Sequence, residues 1–490
     1  MNFHTKDRIA YQKITEAFKK QRTGATPADV VATTGLPLHK VRELIPLAAD
    51  EYSARLEVTE SGEILYSFPG GFTSKYRGFR ARLRSFGEKF GKAAKTAGRF
   101  LFKIWIMLML VGYFVLFMLI ALASLLLSVA SNSNNRSDER GEGFGGLWAA
   151  SAVFDLIIRL WFYSELTKTL DRNYRGQPQG PKPRPLYKAI FSFIFGDEDP
   201  NKDWSSKEKQ NLVAYLQANR GVMTLPEFMS LTGRPPQEAE SAITAFCVEF
   251  GGMPEAAEDG TVVYRFDELL LRKDTRDRSF NGAVPLKRLK AFSSNPKSMN
   301  LWFSILNGVN LVFGSYFLYN AVTTGAITPE TAKTASYIYH VGYVLFGILA
   351  ENPLPFITIG LGAVPVIFSL LFWIIPAVRR GHVKKENENI TMENLRKAGY
   401  SRIWSDPGNV VSDELIPQSM NPPSAKILPK AKEKIIQEMG SYALPEVTIN
   451  DAGKTVYAFK DLEREKSSLQ KYRNNIKTQS LGQTVFDSGV

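Results

Sequence analysis

The sequence predicts an integral membrane α-helical bundle that carries α+β domains in the aqueous phase. Three observations lead there: almost uncharged stretches, basic residues placed consistently beside them, and a pattern that recurs in the polar sequence between them. The chain has 490 residues, 44% hydrophobic and 22% charged, which resembles a soluble average only because two populations are pooled. Residues 100–130, 147–163, 301–322 and 354–378 are nearly free of charge, and the remainder is ordinary polar sequence.

Composition limits the chemistry. The single cysteine, Cys247, excludes a disulfide scaffold and a cysteine-held iron–sulfur or zinc site, and the scattered histidines His4, His39, His340 and His382 leave little for metal ligation. The phosphate-loop, serine-elbow and zinc-protease motifs are all missing from the sequence, so neither an enzyme nor a cofactor is expected.

Topology follows from length and charge. The first twenty-five residues lack the apolar core and small-residue cleavage site of a secretory signal, so the N-terminus is expected in the cytoplasm. Residues 101–130 exceed the ~20 residues that a helix needs to cross a bilayer. Basic residues near span ends favour the cytoplasmic side. Residues 75–103 hold ten of them against Glu88 alone, whereas the loop at 131–146 holds two against three acids and is expected outside. Six basic groups at 168–188, eight at 272–298 and the RRGHVKK segment at 379–385 place the other flanks in the cytoplasm. That requires an even number of crossings between Leu301 and Arg379. Residues 337–350 reach about 21 Å as a helix, too short to span, and run into Glu-Asn-Pro-Leu-Pro. They are read as a half-helix entering from the outer face, giving four spans with both termini cytoplasmic, in an inner (cytoplasmic) or thylakoid-type membrane.

The polar sequence repeats. Residues 26–68 align without a gap to 224–266, with eleven identities in forty-three positions, and the ending Gly-x-x-x-Tyr-x-Phe returns at Gly453, Tyr457 and Phe459. In each of the first two copies a helix (6–21 or 206–219) precedes a short helix capped by Thr26 or Thr224. A Thr-Gly turn, a longer helix with proline in its first turn, and a hairpin turned at Ser61-Gly62 or Asp259-Gly260 follow. This order resembles a winged-helix domain. The fold class is therefore four spans plus a half-helix with α+β winged-helix-like cytoplasmic domains. The expected division is a first winged-helix-like domain at 1–70, a basic amphipathic segment at 71–99, a two-span hairpin at 100–166 and a linker with GDEDPN at 167–202. A second winged-helix-like domain at 203–271, a basic linker at 272–298, two spans with the half-helix at 299–380, and a divergent third unit with a tail at 381–490 complete the chain.

The stretch FSFIFGDEDPN at 191–201, between a two-span hairpin and the second winged-helix-like unit, resembles the corresponding segment of an uncharacterised family of multi-span membrane proteins from cyanobacteria and plastids. The resemblance implies this architecture and no activity. An iron–sulfur biogenesis role attached to some plastid members finds no support in a chain with one cysteine.

Candidate sites fall into two groups. Lys75, Arg77, Arg80, Arg82, Arg84, Lys89, Lys92, Lys95 and Arg99, interleaved with Phe72, Phe79, Leu83, Phe86 and Phe90, suit an amphipathic helix lying on anionic lipid. Within the spans, Asp155 and Arg159 stand four residues apart, Asn307, Asn310 and Asn320 are available to neighbouring helices, and His340 and Glu351 bracket the half-helix. GDEDPN at 196–201 reads as a turn and helix-capping segment rather than a calcium loop. DNA reading needs a basic recognition helix, yet the second copy offers Gln237, Glu238 and Glu240. Membrane lipids and a protein partner are the expected partners, and nucleic acid is not. The resulting expectation is a non-enzymatic membrane-anchored scaffold, assembly or regulatory protein. A membrane-tethered transcription regulator and a small-solute or ion transporter are the alternatives.

Overall fold

The computed structural model describes residues 5–489 except 22–23, 76–78, 134–183, 274–283, 332–333, 349, 421–426, 452 and 478–479. Along it run α1 (Thr5–Lys20), α2 (Pro27–Thr34), α3 (Leu38–Tyr52), β1 (Arg55–Thr59), β2 (Ile64–Ser67), α4 (Phe79–Met107) and α5 (Tyr113–Ser133). Next come α6 (Leu186–Phe195), α7 (Trp204–Ala218), β3 (Val222–Met223), α8 (Leu225–Thr232), α9 (Pro236–Phe250), β4 (Met253–Ala256) and β5 (Val262–Arg265). Then follow α10 (Lys297–Thr323), α11 (Tyr337–Gly347), α12 (Val364–Ser405), β6 (Val410–Val411), α13 (Ile427–Tyr442), β7 (Glu446–Ile449), β8 (Thr455–Ala458), α14 (Lys460–Asn475) and β9 (Thr484–Asp487). Contacts divide the chain into two compact units: residues 1–84, 199–290 and 386–490 form the first, and 85–198 and 291–385 the second.

In the first unit the helix starts follow the sequence. Thr26 and Thr224 each make a capping box, with Asp29 and Glu227 returning the bond to the cap's own amide. Gly35 and Gly233 end the short helices in the left-handed region, at φ +66° and +71°. A second constraint acts at both positions. A Cβ on Gly35 would stand 2.7 Å from the Ser206 carbonyl on α7, and one on Gly233 would stand 2.5 Å from the Glu393 carbonyl on α12. Each Thr-Gly turn is thus the seat of the helix that opens the next stretch of the unit.

Hairpins β1–β2, β4–β5 and β7–β8 are antiparallel and share a register. Tyr66, Tyr264 and Tyr457 each pair outward with Leu56, Pro254 and Val447, and inward with Ala25, Met223 and Val410. The sheet orders are β2-β1-β9, β3-β5-β4 and β6-β8-β7, so the C-terminal strand β9 returns to complete the first sheet. One hydrophobic core joins all three parts of the unit, through Ile14 and Phe18 on α1, Phe228 on α8, Phe246 and Phe250 on α9, Phe266, Tyr400 on α12, Ile435 on α13 and Phe459.

The second unit is apolar and helical. Three of the described helical stretches are long and apolar enough to cross a membrane: Ala93–Ser128, Lys297–Thr323 and Phe356–Ser405. The expected span at 147–163 lies outside the described residues. A π-helical turn at Leu108–Gly112 joins α4 to α5, and another at Phe356–Ala363 opens α12. Helix α11 has 11 residues, about 16 Å, too short to span. It packs through Tyr339 among Phe117, Phe317 and Leu361, with Tyr339 and Gly342 its buried residues.

Candidate docking and anchoring sites

A strap crosses the first unit. Residues 284–290 have no regular secondary structure, and their main chain is held by side-chain amides instead of by another strand. Asn394 accepts from the Lys287 amide at 3.0 Å and donates to its carbonyl at 2.8 Å, and Asn387 does the same for Lys290 at 2.8 and 2.9 Å. From the other side Asn201 closes on Arg288 at 2.9 and 2.7 Å. Asn387 and Asn394 are seven residues apart, two turns of α12, so both project along one face.

The side chains of the strap are read by acids. Lys287 pairs with Glu393, and Lys290 pairs with Asp199 at 2.8 Å and with Glu386. Beneath it Lys397, 2% exposed, donates to the Pro285 carbonyl at 3.3 Å and lies 4.5 Å from the centre of the Trp204 ring. Burial brings its ammonium down to about 8, against the opposing pull of Glu393 and Glu208.

GDEDPN therefore does more than turn the chain. In the first unit Asp199 and Asn201 hold the strap. In the second unit Asp197 accepts from the Ser192 hydroxyl at 2.7 Å and from the Ser294 amide and hydroxyl at 2.8 and 2.7 Å, and pairs with Arg184. Burial alone would raise its carboxyl, but those hydrogen bonds, Arg184 foremost, hold it well below the usual carboxylate range. The N-cap of α7 is Asp203, without a side-chain hydrogen bond, so the expected capping role falls outside the motif and is not made by a side chain. Nearby, Arg379 donates to the carbonyls of Ile194, Phe193 and Phe292 and stacks on the Phe292 ring at 4.0 Å, closing the C-terminal end of α6.

The sequence-predicted residues sort as follows. Lys75, Lys95 and Arg99 are exposed. Arg77 and the side chains of Arg80, Arg82, Arg84, Lys89 and Lys92 lie outside the described residues, as do Asp155 and Arg159. Within the segment, residues 79–99 are helical and belong to α4, which runs without a break from Phe79 to Met107. Asn307 donates to the Ser369 carbonyl at 3.0 Å and Asn310 to the Leu110 carbonyl at 2.8 Å, both fully buried between helices, while Asn320 bonds to Tyr316 of its own helix. His340 is half-buried and Glu351 exposed, and no recorded contact joins them.

The strap, the carbonyl contacts of Arg379 and a buried ion pair are not legible in the sequence. Arg473 on α14 makes bonds of 3.1 and 2.7 Å to Glu227 and one of 2.7 Å to the Val222 carbonyl. Beside it Glu465 accepts from the Tyr442 hydroxyl at 3.1 Å, and burial, reinforced by Glu227, raises its carboxyl to about 7. The buried Cys247 thiol is pushed up to about 11 by desolvation, which makes it a poor nucleophile. The usable signal was the seven-residue spacing of Asn387 and Asn394.

Comparison with known proteins gives a relative without a described activity. The chain is 24% identical over 411 residues to an uncharacterized chloroplastic protein of Arabidopsis thaliana, covering 80% of this chain and 72% of the relative. No family model matches, and no solved structure matches.

Proposed function

We propose that the protein is a non-enzymatic, membrane-anchored scaffold that docks a protein partner through three winged-helix-like units gathered on one face of an inner or thylakoid-type membrane. The observation that carries this reading is the packing of the helices that a winged-helix domain would present to DNA. Helix α9 packs against both α3 and α13. Where α3 is basic its charges are already paired, Lys40 with Asp7 and Glu43, and Arg42 with Glu63 and Glu268. Phosphate neutralisation, the main source of affinity for duplex DNA, is thereby spent within the unit. Wing edges and outer helix faces are left for protein contacts.

The shared core supports the topology. One core lies on one side of a membrane, so the chain crosses an even number of times between residues 84 and 199, and again between 290 and 386. Among the described residues the second interval holds two candidate spans and the short α11 and the first holds one; the return crossing expected at 147–163 lies outside the described residues. The chloroplast location of the Arabidopsis relative agrees with a thylakoid-type membrane.

Two measurements test this reading. In a Cys247→Ala background, an impermeant thiol reagent applied from the loop side labels a cysteine at Asn134 and spares one at Asn450; labelling at Asn450 refutes the common compartment. The full chain in nanodiscs shows no salt-sensitive binding of duplex DNA and retains a protein partner on affinity capture. Sequence-specific duplex binding would make the tethered regulator the better reading.

A further inference from the structure

The three sheets end differently at the same position. In the first, the outward-facing main chain of Leu56 on β1 is used: its carbonyl accepts from the Ser488 amide at 2.9 Å and its amide donates to the Ser488 hydroxyl at 2.8 Å. Strand β9 covers that edge, with Val58 opposite Phe486 and Arg55 bound to Asp487 through Nε at 2.7 Å. In the second, the equivalent residue is Pro254 on β4, which has no amide hydrogen to offer a further strand. Helix α14 also lies against this hairpin, Tyr472 donating to Glu255 and Ser468 to Asp259. In the third, the equivalent residue is Val447 on β7, the edge strand of its sheet. No strand covers β7 among the described residues. Val447 is 59% exposed, Ile449 75% and Leu444 82%. Proteins normally blunt such an edge with a proline, a lysine or a covering segment; at this position the first sheet has a covering strand and the second a proline, and Val447 has neither.

We propose that β7 pairs with β7 of a second copy of this chain, antiparallel about a two-fold axis through Thr448. The choice of occupant follows from the strand itself. In the shared register Val447 and Ile449 turn their amides and carbonyls outward, while the Asn450 amide turns inward to Lys454. Pairing about Thr448 therefore sets Val447 opposite Ile449 of the second copy in both hydrogen-bonded pairs, and Thr448 opposite Thr448 in the pair between them. Cross-strand pairs of β-branched residues and of threonines are favourable. Glu446 falls opposite Asn450, so no like charges face each other, and Glu446 is already paired with Lys460 at 2.6 Å. The strand β9 of the same chain already lies against β1. This proposal is independent of which partner the scaffold docks.

The register gives a specific test in full-length protein with Cys247→Ala. A non-hydrogen-bonded pair brings Cα atoms to ~4.5 Å, within disulfide range. Thr448→Cys should therefore give a disulfide-linked dimer on mild oxidation roughly tenfold faster than Val447→Cys, whose symmetry mate is displaced along the strand. A mixture of Val447→Cys and Ile449→Cys chains should cross-link to each other. Val447→Pro should abolish the Thr448→Cys cross-link without unfolding the unit, since Pro254 occupies the same position in the second sheet; the unfolding temperature verifies folding. Absence of the Thr448→Cys cross-link overturns the proposal, as does a dimer that survives Val447→Pro. A different polypeptide that co-purifies only when residue 447 is valine, with Thr448→Cys remaining reduced, would assign the edge to that polypeptide instead.

Discussion

Asparagines do different work in the two units. Asn201, Asn387 and Asn394 each use both ends of the amide on one residue of the strap, so donor and acceptor are satisfied together. Asn307 and Asn310 in the apolar unit use only their Nδ2 groups; among the described residues no partner meets either Oδ1, and the Ser369 hydroxyl is likewise unmet. A complete amide pair specifies one position of one residue and resists competition from water. A half-satisfied amide among hydrocarbon side chains ties two helices together but forfeits much of that gain through the unpaired oxygen. Similar residues therefore fix register in the first unit and merely join neighbours in the second.

The largest expected effect breaks the first half of this contrast. Replacing Asn387 and Asn394 together by Ala removes four hydrogen bonds and leaves the main chain of Lys287 and Lys290 without partners. At roughly 0.5–1.5 kcal/mol per bond in a half-buried setting, the pair should cost about 3 kcal/mol. Denaturant unfolding of the first unit measures it, and amide exchange at Lys287 and Lys290 should rise by more than at Val263 in β5. Unchanged protection at those two amides would mean that the strap is held by its lysines and not by its backbone.

How much of this was legible depends on distance along the chain. Capping at Thr26 and Thr224, the Thr-Gly turns and the shared hairpin register are local, and were read from spacing. The strap joins Lys287 to Asn394, more than a hundred residues away, and a solitary asparagine gives no sign of its partner. Hydropathy placed the end of the last span near Arg379, and correctly so for apolarity. Yet KKENENITMENLRKAG contains neither proline nor an early glycine, so α12 continues to Ser405 and delivers Asn387, Asn394, Lys397 and Tyr400 to the first unit. Charge marks where a helix leaves an apolar zone and says nothing of where it stops. The acids of GDEDPN looked like a turn because their partners, Lys290 and Ser294, lie near the start of a different apolar stretch.

A smaller effect sharpens the contrast from within the first unit, where Glu465 is a buried carboxyl that accepts from the Tyr442 hydroxyl. Its carboxyl is raised to about 7 from an ordinary value of 4.5, chiefly by burial, with Glu227 and Asp259 adding to the rise and Tyr442 opposing it. A raised carboxyl favours folding when protonated. That contribution is complete below pH 4.5 and is lost as pH rises through 7. Discounted for partial exposure, the loss between pH 5 and 8 should be on the order of 1–2 kcal/mol. Glu465→Gln should remove this part of the slope and be the more stable chain at pH 8. Parallel stability profiles for the two chains would show that Glu465 is charged and accommodated throughout.

The smallest effect belongs to the apolar unit. Asn310→Leu loses one donor to the Leu110 carbonyl but also removes an unpaired oxygen and adds apolar contact beside Phe114 and Leu306. Hydrogen bonds between helices in apolar surroundings average about 0.6 kcal/mol, and the gain from a better-packed apolar side chain is of similar size. The net change should therefore fall within about 1 kcal/mol of zero, against about 3 kcal/mol for the strap pair. Asn310→Ala separates the two contributions, because it removes both polar atoms without filling the space and should be the less stable of the two variants by a cavity cost. Unfolding of the full chain in one detergent, with Asn307→Leu as a parallel, supplies the comparison. If Asn310→Leu instead costs as much as the strap pair, its Oδ1 has a partner worth keeping, and the two units do not differ in how completely their asparagines are used.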